Sequence, residues 1–81
     1  MSDNIEEIRI PKTGVSVEEG TVTEWLVEDG DIVEAGTPIY VLGTDKVESD
    51  IEAPAGGQIR LLVEADTTHP VGTLVAEIVK G

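Results

Sequence analysis

The chain has no cysteine and no phenylalanine, one tryptophan and one tyrosine. Without cysteine there is neither a disulfide framework, nor a thiol nucleophile, nor a cysteine-based zinc ribbon, which fits an intracellular protein. With so few aromatics the core is aliphatic, and Trp25 reads as a packing residue. Cations are scarce as well: five Lys and Arg stand against seventeen Asp and Glu, a formal net charge of -12. Nucleic-acid binding draws on clustered Lys and Arg, so the balance excludes it and disfavours an anionic membrane surface. The same charge favours solubility and a partner with a basic face. No apolar run approaches the roughly 20 residues of a membrane span. MSDNIEE has neither the basic and apolar regions of a signal peptide nor the arginines of a transit peptide.

At 81 residues there is room for one core. A core this small has little material for the walls of an active-site cleft, which points to binding or carrier work. Residues 1–4 read as a flexible N-terminus and 5–80 as one domain. Short runs of Val, Ile and Thr alternate with Gly and Pro, the pattern of many short strands and tight turns, and no window holds a helical period with caps. Strands are predicted over Ile5–Ile10, Thr21–Val27, Asp31–Val33, Pro38–Leu42, Val47–Ala53, Gln58–Glu64 and Thr73–Val79. The predicted core is Trp25, Val22, Ile39, Val41, Val47, Ile51, Ile59, Leu74, Ala76 and Ile78. His69, beside Pro70 and without a second ligand or a nucleophile, reads as a solvated turn residue.

The chain also resembles itself. LVEDGDIVEAGTPI, from Leu26, lies over LVEADTTHPVGTLV, from Leu62, and matches Gly36 with Gly72 and Ile39 with Val75. Upstream, one residue of slippage brings Gly20 and Val22 onto Gly57 and Ile59, and IRIP answers IEAP. Two copies are too few for a solenoid, which needs about three. They suit an all-β sandwich of two small antiparallel sheets with two-fold pseudosymmetry, its halves near 5–42 and 47–80. The segment LGTDKVE that joins the halves is then a protruding hairpin at the symmetry counterpart of the chain termini. After it, Val47 and Ile51 fall on one strand face and Glu48, Asp50 and Glu52 on the other, toward water.

That geometry leaves Lys46 exposed at the tip. An exposed lysine amine is almost wholly protonated near neutral pH, and the carboxylates of Asp45, Glu48 and Asp50 favour the charged form further. A lysine nucleophile wants burial or a cationic neighbour instead. Lys46 is thus suited to accept an acyl group brought by another enzyme. Read without family context, it is an ordinary solvated hairpin lysine.

EGTVTEWLVEDGDIVEAGTPI and TDKVESDIEAPAGG carry a resemblance that covers nearly the whole chain, Ile8 to Val79. The sequence resembles the lipoyl domains of the dihydrolipoamide acyltransferase components of 2-oxoacid dehydrogenase complexes, within the biotinyl/lipoyl attachment family. The resemblance implies a flattened barrel, the hammerhead-like barrel-sandwich hybrid. It implies that Lys46 carries lipoate as an amide and that Thr44, Asp45 and Val47 help the attachment enzyme, a lipoate ligase or lipoyl transferase, to select it. The chain is then a non-catalytic swinging-arm carrier. It serves a thiamine-diphosphate-dependent 2-oxoacid decarboxylase, an acyltransferase core and dihydrolipoamide dehydrogenase. The isolated domain is expected to be monomeric and cytoplasmic, or in the mitochondrial matrix if a transit peptide has been removed.

By the same resemblance the inserted loop, with Thr13, Gly14, Glu18 and Glu19, lies near the lysine turn and joins Glu48 in recognising the decarboxylase. Val47 is closer to 2-oxoglutarate and branched-chain systems than to pyruvate systems. Three positions depart from the family: Gly43, where an acidic or bulkier residue is common and whose lack of a side chain is expected to loosen the strand; Thr13, for Leu or Met; and Ala65, for a glycine. A biotin carrier shares fold and tip lysine but usually places Met on both sides of it. An unmodified acidic docking module stays open. A hydrolase or metal enzyme is the weakest alternative, because the carboxylates in a row neither match an EF-hand loop nor converge on a base.

Overall fold

A computed structural model describes residues 4–12, 18–44 and 47–80. Eight strands follow in order: β1 Ile5–Arg9, β2 Glu19–Trp25, β3 Ile32–Val33, β4 Pro38–Gly43, β5 Glu48–Glu52, β6 Gly57–Leu61, β7 Thr67–Pro70 and β8 Leu74–Val79. They form two four-stranded sheets, β1-β8-β6-β3 and β5-β4-β2-β7, antiparallel throughout and not closed into a barrel. There is no helix among the described residues. The all-β reading and the sandwich of two small sheets are therefore correct.

Seven strands were expected and eight are found; the additional one is β7. TTHP reads as a turn because Pro cannot donate to a ladder. Among the described residues β7 is an edge strand, where that loss is tolerated, and it pairs with β2 alone. His69 is therefore a half-buried strand residue opposite Gly20, with Nε2 2.8 Å from Thr67 Oγ1.

The internal repeat reappears as paired backbone hydrogen bonds. Leu26 N–H donates to Ile39 O at 2.8 Å, and Leu62 N–H to Val75 O at 2.9 Å. Gly30 N–H donates to Ile59 O, and Asp66 N–H to Val22 O. Gly30 and Asp66 both take positive φ, 94° and 64°; Asp is one of the few side chains that visit this region readily, so the second half keeps the turn without a glycine. Each sheet takes two strands from each half: β1 and β3 join β6 and β8, while β2 and β4 join β5 and β7.

The core follows the same pairing. Val22 and Ile59, Ile39 and Val75, and Leu42 and Ile78 are matched across the repeat and all buried. Burying a side chain of this kind contributes roughly 1.5–3 kcal/mol. Five expected core residues are less buried than predicted: Val47 is 56% exposed, and Trp25, Val41, Ile51 and Leu74 are half-buried. Ile8, Ile10, Val33, Tyr40, Leu42, Ala53 and Val75 are buried and were not predicted. A strict alternation count misplaces them because the ladders are irregular, with register shifts in the β1–β8, β2–β4 and β4–β5 pairs.

The two aromatics lie in one sheet, with ring centroids 5.1 Å apart, and Trp25 Nε1–H donates to Val63 O at 3.0 Å. Tyr40 is fully buried and its hydroxyl has no partner among the described residues. Burial pushes its pKa from 10.0 up to about 12. Gly57, with φ of 151°, packs so closely that a Cβ would run into the Val79 carbonyl oxygen.

Two stability predictions follow from these sites. The folded state holds the Tyr40 proton more tightly than the unfolded chain, so its contribution is intact below pH 10.0 and lost as pH rises through about 12. Tyr40→Phe removes that loss. It also removes an unpaired hydroxyl, so at neutral pH the variant is at least as stable as wild type, by up to about 1 kcal/mol; urea midpoints measured across this pH range check both effects. Gly57→Ala is expected to cost about 1–3 kcal/mol by forcing β6 away from β8, read as a lower thermal midpoint.

Candidate lysine hairpin

The β4–β5 ladder pairs Tyr40 with Ile51, Val41 with Asp50, Leu42 with Ser49 and Gly43 with Glu48. Thr44 N–H donates to Val47 O at 2.9 Å and closes the hairpin, so Asp45 and Lys46 are its two connecting residues. The equivalent bond in the other half of the repeat is Lys80 N–H to Asn4 O at 2.6 Å, beside the two chain ends. The hairpin and the termini thus occupy equivalent corners of different sheets. Thr44 is half-buried, while Val47, the residue after the lysine, exposes an apolar side chain to solvent.

Expectations for Asp45, Lys46, Thr13 and Gly14 lie outside the described residues, as do those for residues 1–3 at the N-terminus. The other predicted site residues gather at one end of the sheet. Glu48 is exposed beside Gly43, which in turn pairs with Thr21 of β2. Glu19 lies two residues before Thr21 on the same strand and is exposed; its partner is Pro70. Glu18 is exposed too, and its carbonyl accepts from Val71 N–H at 2.9 Å. The carboxylates of Glu48, Asp50 and Glu52 face water as expected.

Charge differs between the two sheets. The strands of the hairpin's sheet carry Glu19, Glu24, Glu48, Asp50 and Glu52 and no Lys or Arg. The other sheet balances its acids: Arg9 pairs with Glu7 at 2.8 Å, Lys80 lies 3.6 Å from Glu6, and Arg60 stands opposite Glu77. Exposed pairs of this kind contribute little stability, about 0–1 kcal/mol each, but they leave that face nearly neutral. In the sequence, Lys46 is the one Lys or Arg between Glu19 and Glu52. The described residues hold no group of three or more His, Cys, Asp or Glu arranged to bind a metal ion.

Gly43 departs from its expected effect. A Cβ there would meet Thr23 Cγ2 at 2.9 Å, so the space beside the strand is filled by Thr23 and the strand is packed where it enters the turn. Sequence reasoning passed over Thr23. Its signal was the one-residue slip in the repeat: β2 pairs Val22 with Leu42 and Glu24 with Val41, leaving Thr23 as an inserted residue.

Comparison with known proteins agrees with this geometry. The Biotin_lipoyl family model, described as "Biotin-requiring enzyme", matches residues 6–78. The chain is 41% identical over 73 residues to the dihydrolipoyllysine-residue acetyltransferase component of the pyruvate dehydrogenase complex of Corynebacterium glutamicum, covering 89% of this chain and 11% of that protein. It is 41% identical over 78 residues to the acetyltransferase component of the acetoin cleaving system of Pseudomonas putida, covering 95% of this chain and 21% of the relative. It is 36% identical over 76 residues to the succinyltransferase component of the 2-oxoglutarate dehydrogenase complex of Bacillus subtilis, covering 93% and 18%. The chain therefore spans about a tenth to a fifth of the length of these relatives. With its two interleaved half-repeats and a family match over nearly its whole length, this chain belongs to the biotin/lipoyl attachment family.

Proposed function

We propose that this chain is a lipoyl carrier domain, with lipoate held as an amide on Lys46. The observation that carries the reading is the Thr44 N–H to Val47 O bond that closes the chain across Asp45 and Lys46, in a family whose relatives here are named as dihydrolipoyllysine-residue acyltransferase components. The flanking residues fit the group: Thr44 N–H bonds Val47 O, and Val47, the residue after the lysine, offers an exposed apolar side chain to an attachment enzyme. Asp45 and Val47, in place of methionines, favour lipoate over biotin. Thr44 orients the turn, both through its N–H and through its hydroxyl, 3.4 Å from Val47 O.

Bound lipoate supplies a dithiolane that accepts an acyl group together with two electrons and releases each to a different enzyme. This chain contributes position. The β4–β5 ladder holds Thr44 and Val47 on either side of the lysine, so an arm on Lys46 starts from the end of that ladder. The partners are a lipoate ligase or lipoyl transferase, a thiamine-diphosphate-dependent 2-oxoacid decarboxylase, an acyltransferase core and dihydrolipoamide dehydrogenase. The domain itself is a monomer and catalyses none of these steps. Its relatives' names span pyruvate, acetoin, 2-oxoglutarate and branched-chain systems, so they leave the oxoacid open. The acids Glu18, Glu19 and Glu48 steer a decarboxylase with a basic rim toward the hairpin.

Intact mass after incubation with lipoate, ATP and a lipoate ligase tests the assignment. A lipoyl-sized gain is expected in the wild type and not in Lys46→Ala; a biotin-sized gain with biotin ligase, or no gain, would overturn it. Once the domain is lipoylated, Glu18→Gln/Glu19→Gln is expected to slow reductive acylation at low salt. The deficit should shrink as ionic strength rises and shortens the Debye length to about 8 Å or less. Equal rates at low salt would remove the steering role.

A further inference from the structure

The sheet that carries the hairpin breaks the two-fold repeat beside it. The β2–β4 ladder runs Thr21 to Gly43, Val22 to Leu42, Glu24 to Val41 and Trp25 to Tyr40, leaving Thr23 unpaired. The corresponding β6–β8 ladder runs Gln58 to Val79, Ile59 to Ile78, Arg60 to Glu77 and Leu61 to Ala76, leaving nothing over. Thr23 is thus a bulge present in the sheet with the hairpin and absent from the equivalent place in the sheet with the termini. A bulge bends its strand and increases the local twist, and bulges recur where a nearby group must be re-aimed.

Two contacts couple the bulge to the turn. Thr23 Oγ1 donates to Val41 O at 3.0 Å, holding the side chain over β4. Its Cγ2 then lies where a Cβ on Gly43 would point, 2.9 Å away. Gly43 is the last residue of β4 before Thr44 and the two connecting residues. Thr23 therefore fills the outer face at the last step before the lysine, and the missing side chain at Gly43 lets it do so. Near the equivalent corner of the other sheet, at Asn4 and Lys80, the β6–β8 ladder runs without a bulge.

We infer that the Thr23 bulge and Gly43 form a positioning device that sets the direction in which β4 presents the lysine hairpin to its modifying enzyme. The inference rests on the carrier reading above. Thr23 acts through the backbone of β4 and is a positioning residue, not a catalytic one.

Deleting Thr23 is the direct test, because it leaves Thr21, Val22, Glu24 and Trp25 opposite the same partners, in the regular pattern of β6. Wild type and the deletion are compared by lipoate ligase kcat/KM from intact-mass time courses, well below the thermal midpoint of each. Acetylation of Lys46 by an N-hydroxysuccinimide ester serves as a recognition-free control. The deletion is expected to lower kcat/KM about tenfold or more, mainly through KM, with chemical acetylation unchanged. A folded deletion variant modified at the wild-type rate overturns the inference and leaves the carrier reading intact.

If the deletion does not fold, Gly43→Ala and Gly43→Ala/Thr23→Ser decide. Serine keeps the oxygen that bonds Val41 and lacks the methyl that a Cβ would meet. The single variant is then expected to be modified severalfold more slowly and the double variant to recover; equal rates in wild type and both variants overturn the inference. A wild-type chain that takes no lipoate overturns the carrier reading itself, and this inference with it.

Discussion

Neither half of this chain can bury its own apolar face. β1 and β3 must lie against β8 and β6, and β4 and β2 against β5 and β7, so each sheet exists only when both halves have folded together. The backbone bonds that tie the halves run across the repeat: Ala53 N–H to Thr37 O at 2.8 Å, with its mate Ile10 N–H to Thr73 O at 3.0 Å. Most of the structure's other properties descend from this interleaving. It makes a small chain cooperative, since a sandwich of this size leaves no sub-core to survive alone. It also places the joint between the halves, closed by Thr44 and Val47, at a sheet corner equivalent to the one formed by Asn4 and Lys80.

The symmetry is departed from at a few places. In the core, fully buried Tyr40 has Ala76 as its mate and half-buried Trp25 has Leu61, so both aromatics load the sheet that carries the hairpin. On the surface, that sheet's strands are acidic without a cation, while the other pairs its charges. In the backbone, β2 carries the extra residue Thr23 where β6 carries none. A duplicated architecture thus has one sheet differentiated in packing, charge and strand geometry.

Part of the candidate site was legible before any fold. The β4–β5 hairpin, the exposed carboxylates of β5 and the symmetry relation to the chain ends could be read from short-range pattern and the repeat, because turn residues and period-two alternation are local. The core list was less legible. Val47 looked inward by alternation, yet it stands at the sheet's end, just before β5, and is 56% exposed. Ile39 and Tyr40 are consecutive and both fully buried, which alternation cannot predict because the ladder shifts register between Pro38 and Tyr40. β7 was hidden by Pro70, whose meaning depends on whether the strand lies at an edge.

The sequence by itself determined the class of fold, the duplication and the residue placed between its halves, since each of these is encoded in composition, spacing and local turn chemistry. Only the tertiary structure decided what the one-residue slip in the repeat means. A slip can be absorbed in a loop or in a ladder, and the choice depends on partners far along the chain. Here Thr23 is left unpaired opposite Val41, and its methyl packs the space over Gly43, a residue twenty positions further along the chain.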